Sequence, residues 1–327
     1  MSRGESQAQV PTTRGSDGSR SSEAADSILI VGTGAMASIF GVRLSRYADV
    51  TLLGTWEAGL AALQERGVRF VEFDGTEHTD PIRATSTLKE CTGHRFALVL
   101  VKSWQTGRAA RQLASCLAPD GVALTLQNGL GNLETLQEHL GGERVALGVT
   151  TVGATLLGPG HVRVGGEGPT YVVQDLRLLP ITGLLQKAGF NVVFEDNLES
   201  MVWGKLVVNT GINPITALLD ILNGELLESE PARTLLRNVA KETAEVARAR
   251  GVNLPFDDPG EWVANVARQT ATNRSSMLQD LRRGAPTEID AISGAVVQEG
   301  ERLGVHTPIN ATLWHLVRAR VSSFNGE

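Results

Sequence analysis

The sequence predicts an α/β domain built on a parallel sheet, followed by an all-α domain. Three observations predict it. Short apolar runs alternate with helical stretches from Ser27 to about residue 195, and glycines cluster directly after the first run. Beyond Asp196, apolar residues recur at spacings of three and four almost to the end.

The first run is SILIV, followed by a glycine turn and a helical stretch over 35–47. DVTLL then precedes a second helical stretch over 56–66. VRFVEF, FALVLV, GVALTL and VALGVT read as further strands, with helices over 105–117 and 133–140. Such alternation implies right-handed βαβ units and a parallel sheet covered on both faces. TLLGPGHVRVGG and TYVVQD look like later strands near a sheet edge, and another helix and strand end near Phe194. Helical periodicity then covers 198–210, 215–222, 231–250, 260–270, 276–283, 289–303 and 309–321. Turn signals separate these stretches, among them Asn213-Pro214, Asn223-Gly224, Gly251, Pro255, Pro259, Gly284 and Thr307-Pro308. The sequence therefore divides into residues 26–195 and 196–327. Residues 1–25 are rich in Ser, Gly and Arg, with almost no bulky apolar side chain, and read as a disordered tail without the apolar core of a secretory signal.

Composition narrows the function. A chain of 327 residues supports two cores, and a net charge of −6 leaves no basic stripe for nucleic acid. Cys91 and Cys116 lie far apart without metal-ligand spacing, which fits a reducing, cytoplasmic setting and predicts no metal site. The apolar runs are strand-sized and too short to span a bilayer.

Gly32-Thr33-Gly34-Ala35-Met36-Ala37 stands where a dinucleotide-binding turn belongs, after a strand and opening a helix. Gly32 permits the tight turn, Gly34 lets the backbone approach a pyrophosphate, and Ala37 allows close helix–strand packing. The amides of the helix N-terminus then face the anion. This predicts a Rossmann-type domain. Cofactor choice is usually read at the end of the second strand, by an acid for NAD or an arginine for NADP. Gly54-Thr55-Trp56-Glu57 satisfies neither rule. Lys102 in VKSWQ and Asn128 in QNG follow the fourth and fifth predicted strands. On its own, Lys102 reads better as a solvated surface lysine and Asn128-Gly129 as a plain turn.

The stretch WGKLVVNTGINP is the most informative. Lys205, Asn209 and Asn213 are four apart, so a helix presents them on one face among apolar neighbours. One cation and two amides in that setting fit the lining of a cavity. Asn213 before Pro214 also reads as an N-cap with proline in the first turn. Ser276-x-x-Gln279 and Thr287-x-x-Asp290 fit capping boxes, and Glu288 would be favoured in a helix's first turn.

Taken together, GTGAMA, VKSWQ, QNG with Gly131, KLVVNTGINPITAL with NGEL, and NRSSMLQD followed by TEID resemble the ketopantoate reductase (2-dehydropantoate 2-reductase) family from Ser27 to the last helix. The resemblance implies NADPH-dependent reduction of ketopantoate to pantoate, as in pantothenate biosynthesis, with a helical domain closing over the keto acid. It implies Lys205 as proton donor and Glu288 as the acid beside it. It implies substrate contacts from Asn209, Asn213, Asn223, Asn273 and Ser276, and cofactor contacts from the glycine turn, Thr55, Lys102, Asn128 and the backbone near Gly153. Two departures stand out: Thr55 replaces an arginine common in the family, and Ser293 replaces an asparagine. Thr55 offers a hydroxyl without charge, so the sequence predicts a preference for NADPH over NADH below about 100-fold.

These roles suit the chemistry. Hydride reaching a ketone carbon leaves negative charge on oxygen, and a nearby ammonium can stabilise and protonate it, typically worth about 10²–10⁴ in rate. Amides can hold hydroxyl and carboxylate oxygens without adding charge. Two rivals remain: an NAD-dependent D-2-hydroxyacid dehydrogenase with the same lysine, and a non-catalytic dinucleotide-binding regulator. Retention of Lys205, Asn209 and Glu288 together speaks against the second. The oligomeric state stays open, because the helical domain either buries a homodimer interface or faces water.

Overall fold

The computed structural model describes residues 27–323, so the tail expected over residues 1–25 lies outside the described residues. Strands β1 (Ser27–Val31) and β2 (Asp49–Leu53) alternate with helices α1 (Ala35–Leu44) and α2 (Glu57–Arg66). Strands β3 (Val68–Val71), β4 (Glu77–Asp80), β5 (Arg83–Thr85) and β6 (His94–Val99) follow. Next come α3 (Thr106–Cys116), β7 (Leu117–Thr125), α4 (Asn132–Leu140) and β8 (Val145–Thr150). The domain ends with β9 (Gly153–Gly158), β10 (His161–Gly166), β11 (Thr170–Val173), α5 (Leu179–Lys187) and β12 (Val192–Glu195).

The main sheet has the order β12-β11-β8-β7-β6-β1-β2-β5, and its strands from β5 to β8 run parallel. Ile28 and Ile30 pack on one face of β1 and Leu29 and Val31 on the other, each in a separate core. A strand buried on both faces needs an unbroken apolar run, which is what SILIV supplies. The expected parallel sheet is present, but β11 pairs antiparallel with β8.

VRFVEF departs from the expectation of another strand in that sheet. Its β3 pairs with β4 through a turn at Asp74-Gly75 and with β10, in a second sheet of order β4-β3-β10-β9. Gly75 has φ of +85°, and Asp74 Oδ1 accepts from the Thr76 amide at 2.8 Å. Asp-Gly is a favoured hairpin turn, and the place beside β2 is taken by β5.

The second domain is helical: α6 (Glu199–Leu219), α7 (Glu230–Ala249), α8 (Pro259–Gln269), α9 (Ser276–Arg282), α10 (Ala295–Leu303) and α11 (Pro308–Ser322). A π-helical turn, Asp290–Gly294, leads into α10. Two expected helices, over 198–210 and 215–222, are the single helix α6, with Pro214 inside it. Asn213 is therefore neither a turn nor an N-cap. An internal proline removes one hydrogen bond and crowds the preceding turn. Here burial of nearly every residue from Thr210 to Ala217 holds the helix together. Gly211 lets α8 approach closely: a Cβ there would stand 2.8 Å from Val263 Cγ1.

The start of α11 has no side-chain cap of its own. The buried Glu242 of α7 takes that role, accepting from the Ile309 amide at 2.9 Å and from the Asn310 amide and Nδ2 at 2.7 Å each. A carboxylate at a helix N-terminus is favoured by unpaired amides and by the dipole. Glu242→Ala strands three donors and is expected to destabilise the protein by about 3 kcal/mol, with Glu242→Gln losing less. Urea unfolding of both variants checks this, and unchanged midpoints would assign the cap no stabilising role.

Candidate active site

The carboxyl ends of the parallel strands and the inner face of the helical domain enclose a cleft of about 1270 Å³. Ligands of open α/β sheets bind at that end of the strands. The volume exceeds the roughly 300–1,000 Å³ of an ordinary small-molecule pocket.

Gly32, Thr33, Gly34, Ala35 and Met36 line one end. Gly32 has φ of +139°, and a Cβ there would meet the Leu100 carbonyl oxygen at 3.1 Å and Ala37 Cβ at 3.2 Å. Ala37 is the one residue of the expected cofactor set outside the cleft wall. It is fully buried and packs beneath the turn, so its contribution is close packing rather than contact. A Cβ on Gly34 would meet nothing within 4 Å, and α1 begins there without a side-chain cap. The turn thus offers open space and free amides, which suit a pyrophosphate.

Thr55 also lines this end. In the chain the next basic residue is Arg66, at the far end of α2. In space the cation beside Thr55 is Arg108 of α3, whose Nη1 donates to Thr55 Oγ1.

At the centre, the two domains are joined by charge. Lys102 Nζ lies 2.7 Å from Asp280 Oδ2 and 3.5 Å from Glu288 Oε2. Glu288 also accepts from the Ser103 amide at 3.0 Å and from Asn128 Nδ2 at 3.3 Å. Burial works against the Lys102 charge, but Glu288 and Asp280 outweigh it and raise the pKa. Just outside this cluster, the Leu130 amide donates to the Ala291 carbonyl at 2.9 Å. Gly129, with φ of +81°, lies so close to that carbonyl that a Cβ would collide with it.

Lys205 rises from α6 into the cleft, and its ammonium donates to the Thr150 carbonyl at the end of β8, at 2.6 Å. Burial pushes its pKa down to about 8, and the Glu288 charge offsets this only in part. No hydrogen bond joins Lys205 to Glu288, whose carboxylate turns instead to Lys102, Ser103 and Asn128. Asn209 and Asn213 line the same wall, and neither side chain has a hydrogen-bond partner among the described residues. Asn223 Nδ2 donates to Thr270 Oγ1 at 3.0 Å while its buried Oδ1 has no partner. Asn273 Nδ2 reaches the Gly165 carbonyl at 3.5 Å, and Ser276 and Gly153 complete the lining.

Neither expected capping box forms. The cap of α9 is Ser275, whose Oγ accepts from the Leu278 amide at 3.2 Å and from Thr216 Oγ1 at 2.7 Å. Ser276 is thereby the first helical residue and faces the cleft, and Gln279 turns back to the Arg274 carbonyl. Asp290 receives Trp314 Nε1 at 2.7 Å, and Thr287 Oγ1 accepts only the Ile289 amide at 3.4 Å. Glu288 precedes a π turn rather than sitting in the first turn of an α-helix. Ser293 is fully buried, with its hydroxyl unpartnered.

The sequence assigns Asp280, within NRSSMLQD, no role of its own and does not single out Thr150 and Arg108. Asp280 was recoverable, since it lies three residues after Met277 and so shares the buried face of α9. The Thr150 carbonyl and Arg108 carry no comparable local signal.

Comparison with known proteins gives a consistent result. Residues 28–175 match the family described as ketopantoate reductase PanE/ApbA, and residues 197–321 match its C-terminal part. A 2-dehydropantoate 2-reductase of Halobacterium salinarum is 36% identical, over 89% of this chain and 97% of the relative. The crystal structure of a PanE/ApbA family ketopantoate reductase from Ralstonia eutropha is 31% identical, with a TM-score of 0.84 over 91% of this chain and 99% of that one. The ternary structure of D-mandelate dehydrogenase with NADH and anilino(oxo)acetate also has a TM-score of 0.84, at 27% identity over 92% of this chain and all of that one. With both domains matched and a relative 36% identical over nearly all of its own length, this chain belongs to the ketopantoate reductase family.

Proposed function

We propose that this protein reduces 2-dehydropantoate to pantoate with NADPH, with Lys205 as the proton donor. The observation that carries the proposal is Lys205 itself: a cation with a depressed pKa, beside two unpartnered amides, in a cleft that also holds a dinucleotide-type turn.

The nicotinamide cofactor, when bound, supplies the hydride that adds to the ketone carbon. The protein supplies the rest. An ammonium has three donors, and Lys205 uses one on the Thr150 carbonyl. The remaining two can bond the ketone oxygen, stabilise its growing negative charge and pass it a proton. A pKa of about 8 suits this task, because the group is charged at neutral pH yet releases its proton readily. Asn209 and Asn213 face the same space and can hold the substrate's hydroxyl and carboxylate oxygens. Glu288 sustains the Lys205 charge through space while its own oxygens are held by Lys102, Ser103 and Asn128. Glu288 is thus a positioning acid in this scheme.

A second reading is a D-2-hydroxyacid dehydrogenase using NADH. It is favoured by the likeness to D-mandelate dehydrogenase, which is as strong structurally as that to the reductase. Cofactor oxidation against a panel of 2-keto acids, with ketopantoate and benzoylformate included, separates the two. The highest kcat/KM on ketopantoate supports the first reading, and the highest on benzoylformate replaces it with the second.

Lys205→Ala is expected to keep the fold and bind cofactor but to lose at least about 10² in kcat. Near-normal turnover, free of wild-type contamination, would remove Lys205 from the donor role. In the wild type, only the ammonium donates, so kcat/KM for reduction should fall as pH rises through about 8. The residual rate of Lys205→Ala should lack that break.

Ser275 and Ser276 separate stability from binding. Ser275→Ala should cost about 1 kcal/mol of stability, as lost caps do. Ser276→Ala should raise KM for the keto acid with little change in Tm. The reverse pattern would return Ser276 to a purely structural role.

A further inference from the structure

Among the described residues, Arg108 is a cation without a counter-ion. It stands in the first turn of α3, half-buried, with Nη1 donating to Thr55 Oγ1. Its Nε is buried and has no hydrogen-bond partner. Burial lowers its pKa, and no carboxylate opposes that effect. Lys102, in the same cleft, differs, since it is matched by two acids within 3.5 Å. A guanidinium partly withdrawn from water without an anionic partner favours an anion that would supply one. Its N–H fork suits an oxyanion bound by two parallel hydrogen bonds.

Its location says which anion. Thr55 lies two residues past the end of β2, the point where Rossmann-type domains read the ribose 2′ position. The pyrophosphate belongs elsewhere, at the amides that open α1. Trp56 and Trp104, both substantially exposed, line the same cleft and supply flat apolar surface for a purine. An anion beside Thr55 is therefore a phosphate on the adenosine ribose.

We propose that Arg108 is the anchor for the 2′-phosphate of NADP(H), reaching from α3 to the position that an arginine after β2 would otherwise occupy, with Thr55 orienting its guanidinium. The inference rests on reading the cleft as a nicotinamide dinucleotide site. It makes the charge that selects the cofactor a tertiary feature, contributed 53 residues downstream of the position it serves.

Titration calorimetry tests it without turnover. NADP⁺, NAD⁺, 2′,5′-ADP and 5′-AMP are titrated into the wild type, Arg108→Leu, Arg108→Lys and Thr55→Ala. The wild type should bind NADP⁺ and 2′,5′-ADP more tightly than their unphosphorylated counterparts, by about 10- to 100-fold. Arg108→Leu should erase that difference and leave NAD⁺ affinity within about twofold. Arg108→Lys should retain part of it, as a point charge without the fork, and Thr55→Ala should retain most. Equal affinity of the wild type for both dinucleotides overturns the proposal alone. So does an equal loss of both in Arg108→Leu, which would mark a general contact to the adenosine. Binding of neither dinucleotide by folded wild type overturns the cofactor reading and the proposal with it.

Discussion

The carboxylate of Glu288 is the most fully partnered of the polar contacts that join the two domains. It arrives from the helical side and is received entirely by the Rossmann side: the Ser103 amide, the Asn128 amide group and, at longer range, the Lys102 ammonium. Lys102 in turn holds the buried Asp280. Breaking a buried pair by removing one partner typically costs about 3–5 kcal/mol, because the other charge stays behind unpaired. An arrangement of this kind has one geometry in which every member is satisfied. It fixes how α6 stands over the ends of the strands, and therefore where Lys205 can reach.

The same seam divides labour between two lysines in one cleft. Lys102 sits against two acids and is held charged, so it serves as a fixed positive post. Among the described residues Lys205 has a carbonyl for its only hydrogen-bond partner, and it feels Glu288 at a distance, so its pKa falls toward neutrality. Environments that push like groups apart in pKa are the usual sign of separate roles in proton chemistry. Around the proposed donor the protein places amides instead of further cations, which leaves the reacting oxygen's charge to one residue.

Much of this was legible in the sequence, for definite reasons. SILIV announced a doubly buried strand, and the GTGAMA turn was readable because Gly32 answers to a local backbone demand. Lys205, Asn209 and Asn213 could be grouped because a helix converts spacing into a shared face. What escaped was set by tertiary context. Pro214 read as a boundary, yet burial on all sides carries α6 through it. The second sheet pairs β3 with β10, some ninety residues later, a contact that no local pattern encodes. Arg108 meets Thr55 only because α3 and the end of β2 converge. Ser275 and Ser276 were separated by one residue of register, and only the hydrogen bond to the Leu278 amide decides which of them caps.

The bond between Lys205 and the Thr150 carbonyl has a kinetic meaning. Its donor belongs to one domain and its acceptor to the other. Any widening of the cleft lengthens it and frees the ammonium to be solvated, which returns its pKa toward that of an ordinary lysine. With Lys205 as the proposed donor, proton delivery would depend on a closed cleft, the acid being primed only where this bond is made. Closure that completes a reactive set only around bound substrate is a common way to time chemistry. On that proposal the control would lie in a single backbone oxygen at the end of β8, a position at which the identity of the side chain carries little of the instruction.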